Sequence, residues 1–174
     1  MNRINCFSAL MAIIAILLPV TLTSCQDDDD PAVDDRQAAV NIKVTYSIDL
    51  ADTWYEFYNV EMTYTSPGGN PKTKTAATDQ VESMTLPMIE APDSVALTVI
   101  AKPKADHPEV IDGKVYSLDH SANLRVVILT ESGKDSIVLF SQPNDAKLSS
   151  GGDAFRNALQ KERRLYNRSY TIKR

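Results

Sequence analysis

The chain predicts a mainly β fold, an antiparallel β-sandwich with one C-terminal α-helix, and three observations carry that expectation. Val40, Ile42, Val44, Tyr46, Ile48 and Leu50 alternate with polar residues, which describes a strand with one buried face. Clusters of Gly, Pro, Asn, Asp and Ser recur between short β-branched and aromatic runs, as in sandwiches and barrels of antiparallel sheets. Near the C-terminus the period changes: Phe155, Ala158, Leu159, Glu162 and Leu165 or Tyr166 fall at helical spacing.

In chain order, a second strand is expected from Tyr55 to Thr65, with Tyr58, Val60, Met62 and Tyr64 on one face. Ser66-Pro67-Gly68-Gly69-Asn70-Pro71 then closes a hairpin, since glycine reaches positive φ without steric cost. Return strands follow over 72–76 and 81–88, and Ser94 to Ala101 is rich in β-branched residues. A charged loop from Lys102 to Gly113 leads to a short strand over 114–118. Ala122 to Thr130 and Asp135 to Ser141 flank Glu131-Ser132-Gly133-Lys134, a tight hairpin signal. Asp153 is suited to cap a helix over 153–166, and Tyr170-Thr171-Ile172 to form a last edge strand.

The N-terminus reads as an address rather than as fold. Arg3 precedes an apolar run from Ala9 to Leu22, interrupted at Pro19, that ends in Leu22-Thr23-Ser24-Cys25. A charged start, a short apolar stretch and small residues before a cut describe a secretory signal over residues 1–24. An uncleaved anchor needs ~20 apolar residues, and Asn5, Ser8, Pro19 and Thr21 interrupt the run that would supply them.

Cysteine placed at the cleavage point resembles the lipobox of bacterial lipoproteins, which implies lipid (palmitate among its chains) on Cys25 and a membrane as partner. Stable anchoring takes more than one acyl chain, each buried methylene adding about 0.8 kcal/mol. Gln26, Asp27, Asp28, Asp29 and Asp30 follow at once, a run similar to the surface-export signal of Bacteroidetes-type lipoproteins. That resemblance implies an outer-membrane location facing the cell exterior. Read as physics alone, residues 25–37 are a lipidated N-terminus and acidic tether, because a block of like charges stays solvated. Its twelve residues, Gln26 to Gln37, reach up to ~40 Å when extended.

Residues 38–174 then form a single domain, large enough to need no covalent staples. The two cysteines are Cys6, which leaves with the signal, and Cys25, which lipid blocks, so disulfides and thiolate chemistry are excluded from the cleaved chain. The stretch Trp54-Tyr55-Glu56-Phe57-Tyr58-Asn59-Val60-Glu61-Met62-Thr63-Tyr64-Thr65 running into a glycine hairpin resembles small Bacteroidetes lipoproteins with immunoglobulin-like or transthyretin-like sandwiches. The resemblance speaks to fold and leaves the role open.

Charge is unevenly spread. Residues 26–146 hold 21 acids and 9 bases, whereas residues 147–174 hold 2 acids and 8 bases, in a chain of net charge −5. Such asymmetry can mark a basic tail that meets acidic partners, but attraction between two oppositely charged parts of one domain is the favoured reading, and an exported protein with an acidic body is a poor nucleic-acid binder.

Catalytic and metal chemistry find little support. Asp106, His107, Glu109 and Asp112 lie within seven residues, but Pro108 stiffens the loop and the spacing matches no calcium motif. His120 beside Asp119 reads as a turn pair. No Gly-x-Ser-x-Gly elbow accompanies the serines, and Ser149-Ser150-Gly151-Gly152-Asp153 lacks the phosphate-loop lysine pattern. Asn167-Arg168-Ser169 fits the glycosylation triplet, a match that chance explains. The chain is therefore expected not to be an enzyme, and to need no cofactor and no metal.

One candidate ligand face remains. Strand alternation puts Tyr55 and Phe57 opposite Tyr58, Val60 and Met62, and Trp54 stands where the strand begins. If solvated, these aromatics make a platform for a sugar ring or peptide. The competing expectation is that the C-terminal helix covers them, because Phe155 and Leu159 need a surface. The functional expectation is thus a surface-displayed, non-catalytic binding module of the cell envelope. The alternatives are a structural subunit of an envelope assembly and a glycan hydrolase.

Overall fold

A computed structural model describes residues 40–129 and 136–174. Contacts divide the chain into Met1–Ala32 and Val33–Arg174, and all that follows concerns the second unit. Cys25, Gln26 to Asp30 and the Glu131–Lys134 turn lie outside the described residues.

Among the described residues, ten strands and two short α-helices follow in order: β1 (Asn41–Leu50), α1 (Asp52–Phe57), β2 (Tyr58–Thr65), β3 (Pro71–Ala76), β4 (Gln80–Pro87), β5 (Ser94–Pro103), β6 (Val115–Ser117), β7 (His120–Leu129), β8 (Ser136–Ala146), β9 (Ser149–Gly151), α2 (Gly152–Ala158) and β10 (Arg163–Thr171). They form an antiparallel β-sandwich. One sheet has the order β4-β1-β7-β8, the other β10-β5-β2-β3, and β6 pairs with β9 in a small third sheet. β1 and β2 belong to opposite sheets, unlike the first two strands of a constant-type immunoglobulin domain.

The alternation read in β1 is the alternation that packs: Ile42, Val44, Tyr46, Ile48 and Leu50 are all buried. Val60, Met62, Val95, Leu97, Val99, Leu124 and Val126 bring the other central strands into the same core. Two tyrosine hydroxyls cross between the sheets. Tyr46 of β1 donates to the Thr65 carbonyl of β2 at 2.8 Å. Tyr166 of β10 accepts from Leu124 N–H at 3.1 Å and donates to the Gln142 carbonyl at 2.5 Å, bridging paired residues of β7 and β8. Burial raises the pKa of both phenols, and for Tyr166 the hydrogen bond accepted from Leu124 N–H opposes it.

Two expectations are corrected. The second strand starts at Tyr58, because Asp52 to Phe57 coil into α1, which buries Trp54 and Phe57 at i and i+3. The predicted helix over 153–166 ends at Ala158, and Arg163 onward is strand. Its capping residue is Gly151, with no side-chain cap bond, and Asp153 sits in the first turn, paired with Arg156 at 2.5 Å. The register of β10 on β5 slips between Arg164 and Tyr166, a bulge that lets neighbouring Leu165 and Tyr166 both point inward. A consecutive apolar pair breaks the period of two, and this produced the helical spacing.

Candidate functional site

One end of the sandwich gathers most of the residues singled out in the sequence. Leu50 pairs with His120, and His120 with Ala146, so β1, β7 and β8 meet there; α1 leads from the same end into β2. Asn41, where the described chain enters β1, lies at the opposite end, ~30 Å away for a strand of this length.

Trp54 and Phe57 are 1% and 2% exposed, so they form no solvated platform. Phe57 meets Phe155 of α2 edge-on at 5.0 Å and Tyr116 of β6 at 5.5 Å, while Tyr116 and Phe155 stack at 4.4 Å. Trp54 packs on Tyr58 at 5.0 Å, and its indole N–H donates to the Asp119 carbonyl at 3.2 Å. Phe155 of the C-terminal helix packs on Phe57, whereas Trp54 packs on Tyr58 and His120. The aromatic cluster is a plug that closes the core. Tyr55 alone is half-buried, and its hydroxyl donates to Asp79 Oδ1 at 3.0 Å. Burial first, then that carboxylate, raises its pKa.

The charged loop serves the same closure. Asp112 pairs with Arg156 of α2, and the His107 ring lies 5.7 Å from Phe57 with Nδ1 bonded to the Pro108 carbonyl at 2.8 Å. Among the described residues, no group of three or more His, Cys, Asp or Glu side chains is arranged to hold a metal ion. Gly152 permits the approach of α2, since a Cβ there would stand 2.8 Å from the Ile111 carbonyl.

Among the described residues, several clefts lie around the plug. A first, of about 520 Å³, is lined by Asp49, Asp119, His120, Ser121, Asp145 and Lys147, among others. Several of its polar groups are hydrogen-bonded: Ser121 Oγ donates to Asp145 at 2.5 Å, and Asp119 Oδ1 accepts from Leu148 N–H at 2.8 Å. The His120 imidazole bonds the Leu118 carbonyl at 3.2 Å. The serine proton therefore goes to a carboxylate and not to the imidazole, which is not a nucleophile–base geometry.

A second cleft, of about 460 Å³, is lined by Leu118, His120, Asn144, Lys161, Glu162 and Arg163 as well as Arg164 and Leu165. A third, of about 190 Å³, continues from it along β10 to Asn167 and Arg168, sharing Asn144, Arg164 and Leu165. Asn144 Nδ2 donates to the Leu165 carbonyl at 3.0 Å, which ties β8 to β10 beneath the junction. Beside the second cleft the Tyr58 hydroxyl is buried, its pKa raised by burial against the opposing influence of Arg163, which lines that cleft.

The sequence marks 147–174 as basic, but a helix over 153–166 does not bring Lys161, Arg163 and Arg164 together. Their convergence depends on β10 being a strand, and the charge asymmetry was the one signal pointing to it. The Asn167-Arg168-Ser169 triplet lies within β10, where Asn167 Oδ1 accepts from Thr98 Oγ1 at 3.1 Å. No protein-family model, curated protein or solved structure matches the chain.

Proposed function

We propose that the chain is an exported lipoprotein, cut before Cys25 and lipidated there, whose sandwich is displayed at the outer-membrane surface as a non-catalytic binding module. The single observation that carries this reading is Leu22-Thr23-Ser24-Cys25 followed directly by Gln26 and Asp27 to Asp30, ahead of a sandwich whose first strand begins at Asn41. Lipid holds the N-terminus to the bilayer, and the acidic stretch spaces the folded unit from it. Export with an alkyne-tagged palmitate in the medium tests it. The expected product begins at residue 25 and carries the tag; Cys25→Ser keeps its leader and stays untagged. An intact leader on the wild-type chain overturns the reading, and proteinase treatment of whole cells reports which face the domain occupies.

A second reading, a subunit of an envelope assembly, is favoured by β8. It is an edge strand of eleven residues, with Ile137 and Val138 59% and 49% exposed. Unpaired edges of this kind accept a strand from a partner. A photo-crosslinking residue at position 138 is expected to capture one stoichiometric partner under this reading and none under the first.

A further inference from the structure

Resting on the reading of this domain as a displayed binding module, we propose that the groove along β10 binds an anionic polysaccharide. The two clefts that share Asn144, Arg164 and Leu165 form one continuous groove from His120 to Arg168. Four cations line it, Lys161, Arg163, Arg164 and Arg168, against one carboxylate, Glu162. That is an unusual concentration in a chain of net charge −5. Among the described residues the ion pairs join Lys74 to Glu82, Lys102 to Glu61, Arg156 to Asp112 and Asp153, and Arg174 to Asp93. None of the four groove cations takes part in them.

Like charges set side by side repel, and an anion lying along them relieves that repulsion. The form of the groove selects among anions. It runs lengthwise beside an edge strand, which suits a chain-like ligand carrying charge at each repeat, so that weak exposed contacts add through multivalency. Between the cations stand hydrogen-bonding groups, Asn144, Asn167 and His120, beside half-exposed Leu148, a lining that suits sugar hydroxyls and ring carbons. The mouth is at the end of the sandwich opposite Asn41, away from where the chain enters the domain.

The anionic group is sulfate or carboxylate, and the test separates them. The full chain, purified from membranes in neutral detergent, is titrated with heparin, with alginate and with neutral dextran by calorimetry. Binding to heparin assigns sulfate and binding to alginate assigns carboxylate; dextran is expected to be silent. Affinity falls at least tenfold as salt rises from about 0.05 to 0.5 M, because exposed charges are screened. Arg163→Glu with Arg164→Glu is expected to weaken binding at least tenfold. The equally charge-reversing Lys43→Glu with Lys72→Glu, at exposed positions elsewhere, is expected to leave it within twofold. Should the first pair unfold the domain, Lys161→Glu with Arg168→Glu reads the same groove from exposed positions. The proposal is overturned if neither polymer binds at low salt, or if both reversals weaken binding equally. It is also overturned if a polyglutamate peptide binds the groove while both polysaccharides do not. Because palmitate on Cys25 is read in the same preparation, a tagged chain that binds no polymer removes this inference alone.

Discussion

The two ends of the sandwich are closed by different means. At the end where the described chain enters, closure rests on backbone bonds and a tight hairpin: Ser66 N–H bonds Asn70 O at 2.8 Å, Gly69 N–H, at φ 80°, bonds Ser66 O at 2.9 Å, and Ile172 N–H bonds Asp93 O at 2.9 Å. At the other end, closure comes from residues far apart in the chain. Trp54 bonds a carbonyl 65 positions away, and Phe57 packs on Phe155. The first end carries a polar cleft of about 580 Å³, lined by Gly68, Gly69, Glu90, Asp93 and Arg174, in which Arg174 pairs with Asp93, whereas the clefts of the second end lie between helices, loops and a bulged strand. That is where basic residues of the C-terminal segment come together.

If the distant contacts carry the second end, removing the plug has the largest effect. Trp54→Ala deletes an indole that is 1% exposed and its hydrogen bond, and is expected to cost about 3–5 kcal/mol. Urea unfolding followed by far-UV circular dichroism measures it. A cost below about 1 kcal/mol would mean the aromatic cluster is ornament on an already stable sandwich. Gly152→Ala sharpens the point without touching an aromatic. Its Cβ meets the Ile111 carbonyl, a backbone atom, and α2 must shift at a cost of about 2–3 kcal/mol. Loss of Phe155–Tyr116 stacking, seen in near-UV dichroism, is expected to accompany it.

The sandwich body supplies the contrasting term. Tyr166→Phe removes one oxygen and leaves Leu124 N–H and Gln142 C=O without their partner, for an expected cost of about 1–2 kcal/mol. Hydrogen exchange at Leu124 is expected to accelerate, whereas exchange in α1 stays as it was. If α1 also loosens, the two regions are one cooperative unit and the comparison fails.

How far the sequence spoke follows the same division. β1 was legible because every second side chain enters one core, and the hairpin at 66–70 because its turn chemistry is local. α1 was not, because Trp-Tyr-Glu-Phe-Tyr satisfies both alternation and the i, i+3, i+4 spacing of residues 54, 57 and 58. Only the distant partners Asp119, Tyr116 and Phe155 decide between them. The strand at 163–171 was hidden by its bulge, and with it the groove, since one extra residue re-aims every side chain that follows. Charge survived this misreading: the +6 of residues 147–174 was plain without any knowledge of conformation.

The smallest expected effect is electrostatic and lies on neither end. Lys74 donates to Glu82 at 2.7 Å, and that bond holds the Glu82 carboxyl below its ordinary range, against a smaller opposing effect of desolvation. A depressed folded-state value means that folding favours the ionised form. The stabilisation is therefore complete above the unfolded value of about 4.3 and lost as pH falls through the lower folded one. Both side chains are partly exposed, so solvent screening limits the contribution to roughly a few tenths of a kcal/mol. Glu82→Gln is expected to unfold at slightly lower urea than wild type at pH 7 and at the same urea near pH 2.5. A gap that persists at the lower pH would assign the effect to packing of β4 on β1, and would mean that even this surface pair belongs with the core.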